Sequence, residues 1–434
     1  MPQVALTAAL DRQSLDVVGG RRFLALTLRA PEVTNDEGST RKPLNLAFVL
    51  DRSGSMAGEK LELVKRAVAI GINGLAATDR AAVVTYDNQV RILAEGNRMT
   101  GDAKASIGLA LARLRPGGST ALGEGWLTGC RLVAAAAAEH DADWLTRSLL
   151  LTDGLANIGI TDPNELIGHA VNLRQRGVTT TTFGVGAHFD EQLLRGMAEA
   201  GGGNFYFIES AEQIADFFAG ELGELLSVFA EETTLTLTLP DGVAAKLLND
   251  YPASVSTLTP ESTTSVTIAL GSLSAGEERT IIMELVVPVG TIDDELSLDI
   301  SLRYQGSDNG RNEVLAATPI VLRYVPTPEA EAESPNLTVI EAAGRLLVAR
   351  AKFVAWEQMR AGNSRAAHTS LQVALNELNA TALHPAVAAL APDLDELTNL
   401  SGLAERGVWD SVTRKRALYD SHTASKGRRD YGKR

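Results

Sequence analysis

The stretch Asp51-Arg52-Ser53-Gly54-Ser55-Met56 brings one carboxylate and two hydroxyls together within five residues. It follows the apolar run Leu46 to Leu50 and precedes a segment of helical periodicity, which predicts a loop joining a buried strand to an amphipathic helix. Carboxylate and hydroxyl oxygens are ligands for a hard cation. Mg2+ takes octahedral oxygen ligands at ~2.0–2.1 Å and keeps several waters, so a few such groups make a site. Gly54 is expected to bend the turn tightly enough for Ser53 and Ser55 to face one centre. Two further loops offer oxygens. Gly117-Gly118-Ser119-Thr120 is a glycine-rich loop before a helix that begins near Glu124, and Thr120 adds a third hydroxyl. Asp153 directly follows the strand Leu149-Leu150-Leu151-Thr152 and adds a second carboxylate at a strand end. In an open α/β sheet the loops beyond the carboxyl ends of the strands line the binding crevice, which is where these groups would meet.

Each piece has an ordinary reading by itself, because Asp and Ser commonly hydrogen-bond their own backbone in turns. The ordered set at strand ends outweighs that reading. Arg52 is expected to pair with a neighbouring acid or to touch a partner, with a solvated rim position as the safer expectation. Tyr86, Asp87, Met56, Leu155 and Asn157 fall on loops that could border the site. Enzymatic readings find little support. The chain has no HExxH pair, no G-x-S-x-G elbow and no phosphate-binding G-x-x-x-x-G-K-[ST] loop. His140, His169 and His188, on or beside expected helices, give no argument for a base at Ser53 or Ser55. Asp51 as a phosphoryl acceptor would lack its Asp-x-Asp companion, since Ser53 holds that position. The expected activity is therefore non-catalytic.

The elements that must position these residues follow from periodicity. Strands are expected at Leu46 to Leu50, Leu149 to Leu151, Thr179 to Val185 and Phe205 to Ile208. Between them, Leu61, Val64, Val68, Ile72 and Leu75 form one apolar helical face, with Lys60, Lys65 and Arg66 elsewhere. A helix should start at Asp162, with Pro163 in its first turn, and another near Asp190, ending at Gly201-Gly202-Gly203. This alternation predicts a doubly wound, largely parallel sheet covered on both faces. On either side the period changes to two. Val4 to Leu10 and Leu24 to Leu28 read as strands, as do Leu235 to Leu239, Ser265 to Leu270, Thr280 to Val287, Leu296 to Leu302 and Pro319 to Val325. An antiparallel β-sandwich built from residues 3–31 and 232–325, with the α/β unit inserted, is the expected arrangement. The expected boundaries are 1–42 for N-terminal strands, 43–230 for the α/β domain and 231–325 for the rest of the sandwich. An extended acidic linker should follow at 326–336, then a helical hairpin or bundle at 337–410 and a basic tail at 411–434. The Glu32 to Lys42 stretch reads as a polar loop.

With 434 residues, 45% hydrophobic and 22% charged, the chain is globular in composition and long enough for two or three domains. No apolar run approaches the ~18–20 residues of a membrane span. MPQVALTAAL lacks the features of a secretory signal, which favours a cytoplasmic location. One Cys and six scattered His exclude an internal disulfide and a thiolate zinc site. A net charge of −14 argues against nucleic acid as a partner, although residues 411–434 carry eight basic and two acidic residues, a net +6. That tail is expected to stay solvated, with docking on an acidic partner as the alternative.

Residues 43–226 resemble a von Willebrand factor A domain with a metal-ion-dependent adhesion site. The family's DxSxS motif stands here as Asp51, Ser53 and Ser55, its distant Thr as Thr120, and its strand-end Asp in a TDG context as Asp153. The resemblance implies a Rossmann-like fold in which Ser53 and Ser55 ligate Mg2+ directly, with Mn2+ or Ca2+ as alternative occupants. It implies that Thr120 and Asp51 ligate directly or through water, and Asp153 through water or directly depending on state. A partner protein's carboxylate would complete the shell. A second role is allowed by the same resemblance, as an accessory subunit beside a MoxR- or chelatase-type AAA+ ATPase.

Overall fold

The computed structural model describes residues 3–32, 42–140, 144–257, 264–306, 310–382 and 385–427. Most of the expected polar loop, residues 33–41, and the last part of the basic tail, residues 428–434, lie outside the described residues. The chain divides into two compact units. One holds Thr40–Ser227 with Ser411–Tyr419, and the other holds Met1–Ser39, Val228–Asp410 and Asp420–Arg429.

The α/β unit is built on the strand Leu44–Asp51, every residue of which is buried. A continuous apolar run of this kind suits a strand covered on both faces. Its neighbours are Arg80–Tyr86 on one side and Leu145–Thr152 on the other, both parallel to it. Beyond Leu145–Thr152 come Val178–Val185 and Gly202–Ile208, also parallel, while Val90–Arg98 closes the opposite edge antiparallel to Arg80–Tyr86. The chain therefore winds outward in both directions from Leu44–Asp51. The gap between its carboxyl end and that of Leu145–Thr152 is the topological switch point, where ligands bind in this class of fold.

Helices cover both faces, as the alternation of side chains along the central strand requires. A Cβ on Gly129, in the helix Leu122–His140, would collide with Val49 and crowd Ala47, whereas one on Gly71, in the helix Glu59–Gly74, would meet Phe48 and Leu222. Odd and even positions of one strand thus face different helices. The helix Pro163–Gln175 starts with Asp162 accepting from Asn164 N, and Glu191–Gly201 starts with Asp190 accepting from Gln192 and Leu193 N. The latter ends at Gly202, which takes the left-handed conformation at φ 71°.

One correction concerns the basic segment whose first part, Ser411–Tyr419, belongs to this unit. Residues 411–425 are not a solvated tail but a helix, Ser411–Ser425. Lys415 is 2% exposed, donates to Phe189 O and pairs with Glu191, while Arg416 forks onto Glu209. Tyr419 packs edge-on among Phe205, Phe207 and Phe217. Local acceptors and an aromatic slot, unreadable from the charge run itself, draw this segment in.

The second unit contains two sheets. One has the order Ala5–Leu10, Gly20–Arg29, Glu278–Val287, Ala244–Leu247. The other runs Ala253–Thr257, Thr264–Ser274, Val228–Leu239, Glu295–Gly306, Ile320–Val325, Ser14–Asp16, with Asn312–Ala316 paired to Glu295–Gly306. Gly20–Arg29 pairs antiparallel with Glu278–Val287, and Ser14–Asp16 pairs parallel with Ile320–Val325. A single core draws Leu24, Leu26, Ile281 and Met283 from the first sheet and Leu235, Leu237, Ile268 and Ile300 from the second. The helix Leu337–Arg360, capped by Asn336, covers Phe23, Ala25 and Ile282 on the other side of the first sheet. It packs with Ser364–Ala382, and a third helix, Ala391–Glu405, joins what the sequence read as a hairpin.

The acidic stretch after residue 325 is a further correction. Thr327–Ala332 is helical, and the Glu333 carboxylate accepts from Gln13 N at 2.9 Å and Ser14 N at 2.7 Å. Proline is tolerated in the first turn of a helix, and an acid can satisfy backbone donors at a strand edge, so this stretch packs rather than staying extended.

Glu221 is the buried polar hub of the α/β unit. It accepts from Arg147, Thr181, Asn204 and the Tyr206 hydroxyl. Burial alone would push its carboxyl up, but the Arg147 charge and these donors outweigh burial and hold it below the usual carboxylate value. Glu221→Gln should lower the unfolding free energy by about 3 kcal/mol, because Arg147 loses its counter-charge in a buried place. The exposed pair Arg29–Glu278 offers the contrast, and Glu278→Gln should cost at most about 1 kcal/mol. Denaturant melts of the two variants measure the difference.

Candidate metal centre

Asp51 ends the central strand with its carboxylate fully buried. Ser53 N donates to Oδ1 at 2.7 Å and Thr152 Oγ1 donates to Oδ2 at 2.6 Å, so both oxygens are held before any ligand arrives. The chain then makes a short turn of 3-10 helix, Gly54–Met56. Ser53 Oγ and Ser55 Oγ lie 3.1 Å apart, and Ser55 Oγ donates to Asp153 Oδ1 at 2.7 Å. Asp153 stands one residue beyond Leu145–Thr152, whose Leu151 pairs with Leu50 of the central strand. Parallel register therefore brings the two carboxylates to adjacent strand ends.

The third loop is tied to the first by its backbone. Gly117 N donates to Arg52 O at 2.6 Å and Gly54 N donates to Gly118 O at 3.0 Å. Thr120 is fixed from the other side, its N–H donating to Asn157 Oδ1 at 2.9 Å and its carbonyl accepting from Asn157 N. A Cβ placed on Gly154 would meet Thr120 Oγ1 at 3.3 Å and Asp51 Oδ2 at 3.8 Å, so both oxygens flank this glycine. The Thr120 hydroxyl has no hydrogen-bond partner among the described residues. Ser53, Thr120 and Asp153 are buried, whereas Gly54 and Ser55 are exposed and open one side of the cluster to solvent.

All five sequence-singled residues, Asp51, Ser53, Ser55, Thr120 and Asp153, thus lie around one place. Several of their supports were not foreseen. Arg52 is 7% exposed rather than on a solvated rim, pairing with Asp87 and donating to Arg115 O. Asp87 in turn lies where a side chain on Gly117 would have to sit, which keeps that loop in place. Gly54 is not among the glycines with positive φ, so its part is to donate to Gly118, not to supply an unusual turn. Lys60 was read as a residue of the helix's polar face, yet its Nζ reaches Asp153 Oδ2 at 2.5 Å. Thr152 carried no sequence signal beyond its place before Asp153.

The donor set is all oxygen and includes two carboxylates, which fits a hard divalent ion. The spacing fits as well. Adjacent ligands at ~2.1 Å on an octahedral ion are about 3.0 Å apart, close to the spacings at Ser53, Ser55 and Asp153.

Residues 45–220 match the model of the von Willebrand factor type A domain. This segment is a von Willebrand factor type A domain. Domains of this family mediate protein–protein interactions and typically bind a divalent metal. Relatives extend past the von Willebrand factor type A segment. An uncharacterized protein of Synechocystis sp. is 26% identical over 384 residues, covering 86% of this chain and 87% of that protein. The uncharacterized protein YfbK of Escherichia coli is 27% identical over 354 residues, covering 80% of this chain, which spans only 60% of YfbK's length. Among solved structures, a von Willebrand factor type A protein from Catenulispora acidiphila has the same fold. Its TM-score is 0.72 at 19% identity, over 99% of this chain and 98% of that one.

Electrostatics distinguish Asp51 within the von Willebrand factor type A site. Burial, and to a smaller extent the negative Asp153, push its carboxyl up to about 6 against the pull of the Thr152 and Ser53 donors. The raised value means that the neutral form is favoured by folding. That contribution is complete below the ordinary carboxylate range and is lost as pH rises through about 6. In chelator, Asp51→Asn should therefore be more stable than the parent at pH 8, by about 1–3 kcal/mol, with the advantage fading below about pH 5. Thermal melts of both proteins from pH 4 to 8 check the sign.

Proposed function

We propose that Asp51, Ser53, Ser55, Thr120 and Asp153 together hold one Mg2+ and that the loaded site captures a carboxylate of a protein partner without performing chemistry. The single observation that carries this reading is the run of close oxygen spacings, 3.1 Å from Ser53 Oγ to Ser55 Oγ and 2.7 Å from Ser55 Oγ to Asp153 Oδ1. Mn2+ is the natural substitute. Ca2+, which takes more oxygen ligands at ~2.3–2.6 Å, is the other alternative occupant.

Bound there, a divalent ion would supply a positive charge with a coordination position open to an incoming oxyanion. The chain's own residues do the rest. Asp51 and Asp153 provide the negative charge from buried positions, where attraction is screened less than at the surface. Ser53 and Thr120 are held by backbone contacts, so their hydroxyls need little reordering. Gly54 and Ser55 leave the approach open.

Asp51→Ala should abolish Mg2+ binding in calorimetric titration while the circular dichroism spectrum stays that of the parent. Unchanged metal affinity in that variant would refute the assignment. A pull-down performed with Mg2+ and again with chelator then tests the partner class. Mg2+-dependent capture of a protein, lost on mutating one of its acidic residues, is the expected outcome, and Mg2+-independent recovery of an AAA+ ATPase would favour the accessory role instead.

A further inference from the structure

We infer that Lys60 is a tethered cation that occupies the charge position of the site when no dication is bound, and that it sets the threshold for loading. The inference rests on the reading of Asp51, Ser53, Ser55, Thr120 and Asp153 as a metal site. Asp153 is fully buried and divides its carboxylate between two partners, Ser55 on Oδ1 and the Lys60 ammonium on Oδ2. The same ammonium lies 3.5 Å from Ser55 O, so it bridges two of the three site loops. Its side chain is 30% exposed, which leaves it a path to solvent that Asp153 lacks.

The placement of Lys60 is otherwise unfavourable. It is the second residue of the helix Glu59–Gly74, where the helix dipole disfavours a cation and where Glu59 and Glu62 are the residues expected. A Cβ on Gly186, just past the end of Val178–Val185, would stand 3.7 Å from Lys60 Nζ. The side chain is therefore laid back across the carboxyl ends of the strands instead of extending into water along its helix. What it gains there is Asp153. A buried carboxylate without a compensating charge is costly, and the ammonium meets that cost in the ion-free protein.

A dication among Ser53, Ser55 and Asp153 would bring a like charge next to Lys60. The two cations then compete for one carboxylate, and loading proceeds only once the ammonium has been moved toward solvent. Lys60 thus acts as a positioning residue for the empty site and as a competitor for the loaded one.

The test uses the full chain with Lys60→Met and Lys60→Arg, titrated with Mn2+ and read by the electron paramagnetic resonance signal of the free ion, together with melts in chelator and in Mg2+. Lys60→Met should bind Mn2+ at least about tenfold more tightly than the parent, melt lower in chelator, and regain the loss in Mg2+. Lys60→Arg, which keeps the charge, should stay near the parent affinity. Equal or weaker Mn2+ binding by Lys60→Met, in a protein whose Asp51→Ala variant loses the metal, overturns the role of Lys60 and leaves the site standing. Binding by Lys60→Met when the parent binds undetectably supports it. Absence of binding by both proteins overturns the role and the site together.

Discussion

Two carboxylates buried at the ends of neighbouring parallel strands are the constraint around which the α/β unit is organised. Asp51 and Asp153 repel one another and have lost most of their water, so each must be compensated by something nearby. The compensation is divided. Asp51 relies on the Ser53 backbone and the Thr152 hydroxyl and is pushed toward its neutral form, while Asp153 relies on the Lys60 ammonium and the Ser55 hydroxyl. Each buried carboxylate is thus balanced within the unit by its own set of donors, and one of the two by a cation.

The scaffold explains why this is affordable at all. A strand buried on both faces, with Ala47 and Val49 toward one helix and Phe48 toward another, is rigid enough to hold a carboxylate at its end against repulsion. The loop carrying Thr120 is pinned by backbone bonds to Arg52, Gly54 and Asn157 instead of by its own packing. Arg52, in turn, is anchored by Asp87 and the Arg115 carbonyl. Preorganisation of this kind lowers the ordering cost of binding, as it does for any site whose ligands are already in place.

Much of this was legible along the chain, because the relevant signals are local. Asp51, Ser53 and Ser55 stand in one turn, the strands alternate at period two or run continuously apolar, and Asp162 and Asp190 announce the helices that they cap. The residues misread are those whose partners are remote. Lys60 looks like a solvent-face lysine until Asp153 arrives from 93 positions away, and Lys65, on the same helix, is buried against the Leu114 carbonyl. Lys415 and Arg416 look like part of a solvated basic tail until Glu191 and Glu209 meet them. The Pro-Thr-Pro stretch looks unable to pack until Glu333 meets the free donors of Gln13 and Ser14.

By itself the sequence determined where carboxylate and hydroxyl side chains stand after apolar runs, which segments alternate or run apolar, and therefore the kind of fold that places those oxygens at strand ends. Periodicity and turn chemistry act over a few residues, so the chain states them directly. Only the tertiary structure decided which charges are paired. A long cationic side chain can reach in many directions, and its partner is chosen by strand order and register, quantities that no stretch of the chain contains until distant strands lie side by side.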